Sequence, residues 1–116
     1  MSREPELEPR LRVSGGDRRL FGPGKAELLR LIAATGSILE AARQMDMSYQ
    51  RAWTLVREMN ADFREPLVTK VRGGGTGGGT ALTPAGETAL TCYERMTAAG
   101  LAAMQADWKA FRRQLR

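Results

Sequence analysis

Histidine is missing altogether from these 116 residues, and cysteine occurs once, as Cys92. Without an imidazole there is no histidine general base, no histidine-dependent triad, no histidine metal ligand and no histidine pH switch. Neither a hydrolase nor a zinc protein is expected, and no cofactor is called for. One cysteine closes no disulfide within the chain, and neither a secretory leader nor a long apolar run is in view. A cytoplasmic protein with no membrane association is the expectation. What the chain does have is positive charge: 18 Lys and Arg against 13 Asp and Glu, a formal net charge of +5. The resulting pI of about 10.1 favours polyanionic partners. The hydrophobic fraction of 42% is enough for one small core. A domain of this size is marginal alone and gains stability from a partner subunit, so an oligomer is expected.

Residues 1–9 mix Glu4, Glu6 and Glu8 with two prolines and read as a flexible tail. Two short apolar runs, Leu11 with Val13 and Leu20 with Phe21, flank Ser14-Gly15-Gly16-Asp17 and predict a β-hairpin. A first helix is expected from Lys25 to Ala34, with Leu28, Leu29 and Ile32 inward and Gly36 as its stop. Ser37 followed by Glu40 has capping-box spacing and opens a second helix whose inward positions are Ile38, Ala41, Ala42 and Met45. After a break at Asp46 and Met47, Ser48 caps a third helix from Tyr49 to Phe63, with Ala52, Leu55, Val56, Met59 and Phe63 inward. Pro66 ends it. Residues 67–71 are β-branched and short, residues 73–80 are nearly all glycine, and Ala81-Leu82 returns as a partner strand. Thr83-Pro84 then opens a final helix toward Arg116. Unbroken, it would approach about 50 Å.

Two short helices joined by a tight break, with small residues at their crossing, are the ingredients of a helix-turn-helix. The strand, glycine loop and strand that follow add a wing. The fold class expected is mainly α with a small β component: a winged helix-turn-helix over residues 10–83, with an N-terminal hairpin and a long C-terminal dimerisation helix over residues 84–116. Asp46 stands at the turn, where a left-handed backbone is common and Asp tolerates it better than most residues. The outward face of the third helix presents Tyr49, Gln50, Arg51, Thr54 and Arg57. Gln bonds an adenine edge bidentately, Arg reads guanine or phosphate, and Thr offers hydroxyl and methyl. Ser37 and Ser48 sit at helix N-termini, where amides favour phosphate. Lys70, Arg72 and Thr76 charge and line the wing, which suits backbone or minor-groove contact. Double-stranded DNA is the partner these chemistries fit. The competing assignment is a winged-helix interaction module that docks an acidic protein through the same face.

In the last helix Leu101, Met104, Trp108, Phe111 and Leu115 recur at alternating steps of three and four, the seam of paired helices, and predict a homodimer contact. Gly100 marks the change from a first stripe shared by Leu90, Tyr93 and Met96, and a bend or close crossing is expected there. Trp53 beside Ala52 and Val56 is expected to pack inward, Cys92 to be a small buried hydrophobe, and Glu58 with Asp62 to form a solvated face. Gly73, Gly75 and Gly78 spell GxGxxG, but the expected strand at 80–82 is not the helix a dinucleotide site requires.

The stretch Gly36-Ser37-Ile38, Ala41-Ala42, Met47-Ser48-Tyr49, Ala52-Trp53, Glu58-Met59-Asn60, Leu67-Val68, the glycine-rich wing and Leu82-Thr83 with Gly86 resembles the N-terminal domain of ModE-type molybdate-responsive regulators, relatives of LysR-type DNA-binding domains. The resemblance implies a homodimer joined through the hairpin-bearing end and the C-terminal helix, binding an inverted repeat in promoters of molybdenum-related genes. Full-length ModE proteins continue into paired β-barrel domains that bind molybdate, and no such segment is found before Arg116. The resemblance then leaves a stand-alone DNA-binding protein, one controlled by a separate effector subunit, or a piece of something longer.

Overall fold

Three helices whose facing residues are leucine, isoleucine, methionine and alanine set the frame of the computed structural model, which describes residues 4–72 and 79–116. Helix α1 (Pro23–Thr35) begins with proline, whose absent N–H costs nothing in a first turn. It ends at Gly36, whose φ of 70° turns the chain out of the helix. Its Leu28, Leu29 and Ile32 are fully buried. Helix α2 (Ile38–Gln44) and helix α3 (Tyr49–Asp62) start at Ser37 and Ser48, whose hydroxyls accept from Glu40 N and Arg51 N at 3.0 Å. The second half of the expected capping box is absent: Ser37 N donates to Thr35 Oγ1 at 3.2 Å, while the Glu40 carboxylate lies toward Arg43. Ala41, Ala42 and Ala52 are buried where α2 meets α3, and Asp46 adopts a φ of 55° in the turn between them.

The expected hairpin is present as β1 (Val13–Gly15) against β2 (Arg18–Phe21). Phe21 plugs it into the core, edge-on to Phe63 at 6.0 Å and to Tyr93 at 5.2 Å between ring centres. The wing strands β3 (Val68–Val71) and β4 (Gly79–Leu82) pair antiparallel, Val68 opposite Leu82 and Val71 opposite Gly79. Helix α4 (Pro84–Ala103) is capped by Thr83, and Leu90 and Tyr93 face the core. The Tyr93 hydroxyl donates to Leu11 O at 2.8 Å.

Several expectations for the last helix need correction. It is interrupted at Met104, α5 (Gln105–Arg112) follows, and Leu115 lies beyond its end; Met96 is exposed rather than sharing the burial of Leu90 and Tyr93, and Gly100 lies inside α4. At the break Met104 N donates to both Gly100 O and Leu101 O, at 3.1 and 3.2 Å, and the Gln105 side-chain amide donates to Leu101 O at 2.9 Å. Cys92 is exposed, because it falls on the side of α4 turned from Leu90 and Tyr93. The radius of gyration, 17.2 Å, exceeds the roughly 13 Å of a compact chain of this length. Helix α5, with no buried residue, accounts for the excess by projecting from the core. Residues 4–10 have no regular structure and run beside it: Glu4 pairs with Arg112, and Leu7 lines a hollow with Trp108 and Phe111.

Wing and last helix touch through backbone. Thr83 N donates to Leu67 O at 2.9 Å, and a Cβ built on Gly86 would lie 2.1 Å from that same oxygen. Gly86→Ala is expected to cost about 2 to 3 kcal/mol and to lower the thermal midpoint by on the order of 10 °C. Gly100→Ala, whose new methyl meets nothing nearer than Met104 Cε at 4.0 Å, is expected to raise it by a few degrees, worth about 0.5 to 1 kcal/mol. Thermal unfolding of the two variants side by side checks both signs.

Candidate nucleic-acid interface

At about 100° per residue, the inner side of α3 is taken by Ala52, Leu55, Val56 and Met59, all buried. The remaining arc carries Tyr49, Gln50, Arg51, Thr54 and Arg57, and all five are exposed. Within it the period divides the residues: Gln50, Thr54 and Arg57 occupy the middle, Tyr49 one margin and Arg51 the other. The Thr54 hydroxyl donates to Gln50 O at 3.0 Å, which leaves its oxygen as an outward acceptor beside the methyl.

The Tyr49 margin faces the wing. Ser37, Tyr49, Lys70 and Arg72 line one concave space of about 770 Å³, floored by Gly36 and Thr80. Residues from the start of α2, the start of α3 and both wing strands thus meet there. Gln50 stands exposed on α3 outside that hollow. Thr54 and Arg57 line a second concavity, about 650 Å³, together with Trp53 and Arg18. Arg51 turns to a third, among hairpin residues. Thr76 lies outside the described residues.

Trp53 is a correction and an addition. It is 38% exposed and belongs to the outer arc. The spacing Tyr49, Trp53, Arg57 runs in steps of four along one face, a signal outweighed by the apolar neighbours Ala52 and Val56. Glu58 and Asp62 also depart from expectation. Glu58 pairs with Lys25 at 3.4 Å and Asp62 with Arg18 at 3.0 Å, so both acids are taken up by groups at the hairpin end. Among the described residues, by contrast, Arg51, Arg57, Lys70 and Arg72 have no carboxylate partner. The four bases on the outer arc of α3 and the wing base are therefore unpaired among these residues, while Glu58 and Asp62, which line the Arg57 concavity, are matched by Lys25 and Arg18.

The wing is held at a fixed angle to α3 by one side chain. Asn60 Oδ1 accepts from Leu67 N at 2.8 Å and Val68 N at 3.1 Å, while Asn60 Nδ2 donates to Val68 O at 3.1 Å. On the other strand, Thr80 N donates to Gly36 O at 2.9 Å, an approach that only glycine at position 79 permits, since a Cβ there would lie 2.7 Å from the same oxygen.

The sequence pattern of bacterial regulatory helix-turn-helix proteins of the lysR family matches residues 24–87. The chain is 45% identical over 73 residues to the molybdenum-pterin-binding protein MopB of Rhodobacter capsulatus, a match covering 63% of this chain and 27% of MopB. It is 40% identical over 78 residues to the transcriptional regulator ModE of Yersinia pestis, covering 66% of this chain and 30% of that protein. The DNA-binding transcriptional dual regulator ModE of Escherichia coli K12 is 37% identical over 78 residues, with the same coverage of 66% and 30%. The chain thus spans less than a third of the length of these relatives.

Asn60→Ala removes three hydrogen bonds and leaves the Leu67 and Val68 amides without an acceptor at buried residues. A loss of about 2 to 4 kcal/mol is expected. Hydrogen exchange at those two amides should accelerate more than at Leu28 or Leu29, because the wing detaches before the helical core opens.

Proposed function

Because the chain belongs to the bacterial regulatory helix-turn-helix family of the lysR type, we propose that it is a sequence-specific DNA-binding transcriptional regulator. It would act as a homodimer on an inverted repeat, with molybdenum-related genes as its targets. One observation carries the DNA reading: the five groove-reading side chains of α3 are all exposed on a helix whose other side is core, with Lys70 and Arg72 beside Tyr49 at one margin. A helix so placed enters a major groove while a wing lies on flanking backbone. The molybdenum assignment rests on the relatives, named as ModE regulators and a molybdenum-pterin-binding protein. No helix among the described residues is long and apolar enough to cross a membrane.

Residues 10–83 serve as the DNA-binding unit and residues 84–116 as the pairing segment. Support for pairing comes from the stripe along α4 and α5, where Met104 and Phe111 are exposed and Trp108 stacks on Phe111 at 6.2 Å, with Leu115 exposed just beyond the end of α5. Apolar area of that kind on a projecting helix fits a second copy of itself. Two copies would then place their α3 helices on half-sites about one helical turn, or a multiple of it, apart.

Selection of bound sites from random duplex supplies the operator, and variants then divide the labour. Gln50→Ala and Arg57→Ala should each reduce the preference for the selected site by about 1 to 3 kcal/mol, whereas Arg72→Ala should weaken specific and random duplex alike. Equal losses on both duplexes for all three variants would contradict the division. An absence of duplex binding at modest salt would favour a protein-docking module instead. Trp108→Glu should yield monomers in sedimentation, and an unchanged mass would place the subunit contact elsewhere.

A further inference from the structure

The margin of α3 opposite the wing carries a second basic surface. Arg51 faces a cleft of about 360 Å³ that it shares with Arg10, Arg12 and Arg19 from the hairpin and its approach. All four arginines are exposed, and none has a carboxylate partner among the described residues. Glu58 also lines the cleft, but its carboxylate is committed to Lys25, which donates further to Arg19 O and Leu20 O at 3.4 and 3.3 Å. The acid therefore does not neutralise the arginines; it holds β2 against α3 and so sets where Arg19 stands.

We propose that this arginine cleft grips duplex phosphates on the side of the half-site away from the wing, so that the protein straddles the groove that α3 reads. This deepens the DNA-binding reading above and rests on it. The period of α3 supplies the geometry: Tyr49, at one margin, lines the wing hollow, and Arg51, about 200° round the helix, lines the hairpin cleft. Gln50, Thr54 and Arg57 fall between them. A helix seated with its middle arc in the major groove presents its two margins to the two bordering backbones. Both margins are then positive, one through Lys70 and Arg72, the other through the four arginines. Arginine suits the task because its planar donors bind phosphate oxygens bidentately. The cleft is continuous along α3 with the groove-reading arc, which favours the same duplex over a separate acidic protein.

The test compares the full chain with Arg12→Ala/Arg19→Ala on two duplexes, one with long flanks around the selected site and one trimmed to the site itself, across a salt series. On the long duplex the variant should bind at least tenfold more weakly at low salt. Its slope of log affinity against log salt should be shallower by about 1.8, two phosphate contacts at about 0.9 each. On the trimmed duplex parent and variant should converge, and Arg12→Lys/Arg19→Lys should keep most of the parent slope. If the parent binds neither duplex, the DNA reading fails and this inference with it. A parent that binds while the double variant keeps its slope overturns the cleft assignment alone. So does a variant whose sedimenting mass differs from the parent's, since the arginines would then sit in the contact between copies.

Discussion

Everything that an α3 helix and a wing can do together depends on the angle between them, and that angle is set by the carboxamide of Asn60. A single side chain on the last turns of α3 satisfies two amides and one carbonyl at the start of β3. Asparagine is one of the few residues able to do this, since it offers donor and acceptor on one short, stiff stem. Aspartate would supply no donor for Val68 O, and glutamine would add a rotor. The groups it serves belong to Leu67 and Val68, which are buried, so no water replaces it cheaply. The second wing strand is fixed from the opposite side, where Thr80 N meets Gly36 O at the junction of α1 and α2. The wing is thereby tied to both ends of the helix-turn-helix, and the hollow between Tyr49 and Arg72 keeps its shape.

The same economy governs charge. Helix α3 carries acids as well as bases, and an outer face lined by Glu58 and Asp62 would repel a polyanion. Both carboxylates are instead consumed by Lys25 and Arg18 at its hairpin-facing side. Lys25 is nearly buried, so that its ammonium is matched by Glu58 and two backbone carbonyls, as a buried cation must be. The outer arc is left with arginine, glutamine, threonine and aromatic side chains. The hairpin thus has two roles in one piece of chain: it closes the core through Phe21 and pairs Asp62 of α3 through Arg18, while Lys25 at the start of α1 takes Glu58.

What the sequence made legible was whatever depends on near neighbours. Ser37, Ser48 and Thr83 cap the helices as read, because a cap is a contact between residues three apart. The core positions of α1, α2 and α3 followed from period alone, and Asp46 took the left-handed turn expected of it. Legibility failed where a partner is distant or where two local options compete. The fates of Glu58 and Asp62 are decided by residues more than thirty positions away. Asn60 gave no sign of its three bonds to the wing. Trp53 shares the exposed face of Tyr49 and Arg57, four positions on either side, and not the burial of its immediate neighbour Ala52. The break at Met104, where Leu101 O takes donors from both Met104 N and the Gln105 side chain, is a matter of hydrogen bonding that no count of apolar spacing detects.

Helix α5 needs more support than its own chain supplies. Eight residues are too few to hold a helix on propensity, since an isolated helix shorter than about 12 to 15 residues is marginal in water. Its own chain supplies little help: Leu7 touches the hollow beside Trp108, and Glu4 reaches Arg112, both from a segment without regular structure. Phe111 remains 63% exposed. Continuity with α4 supplies part of the order, but the sequence gathers Met104, Trp108 and Phe111 on one face with Asp107 at its border, an apolar cluster without benefit for a solvated extension. A second copy, laying the same stripe against this one, would bury Met104, Trp108, Phe111 and Leu115 together. It would also fix the distance between two α3 helices, so the contact that completes α5 would be the one that sets the half-site spacing.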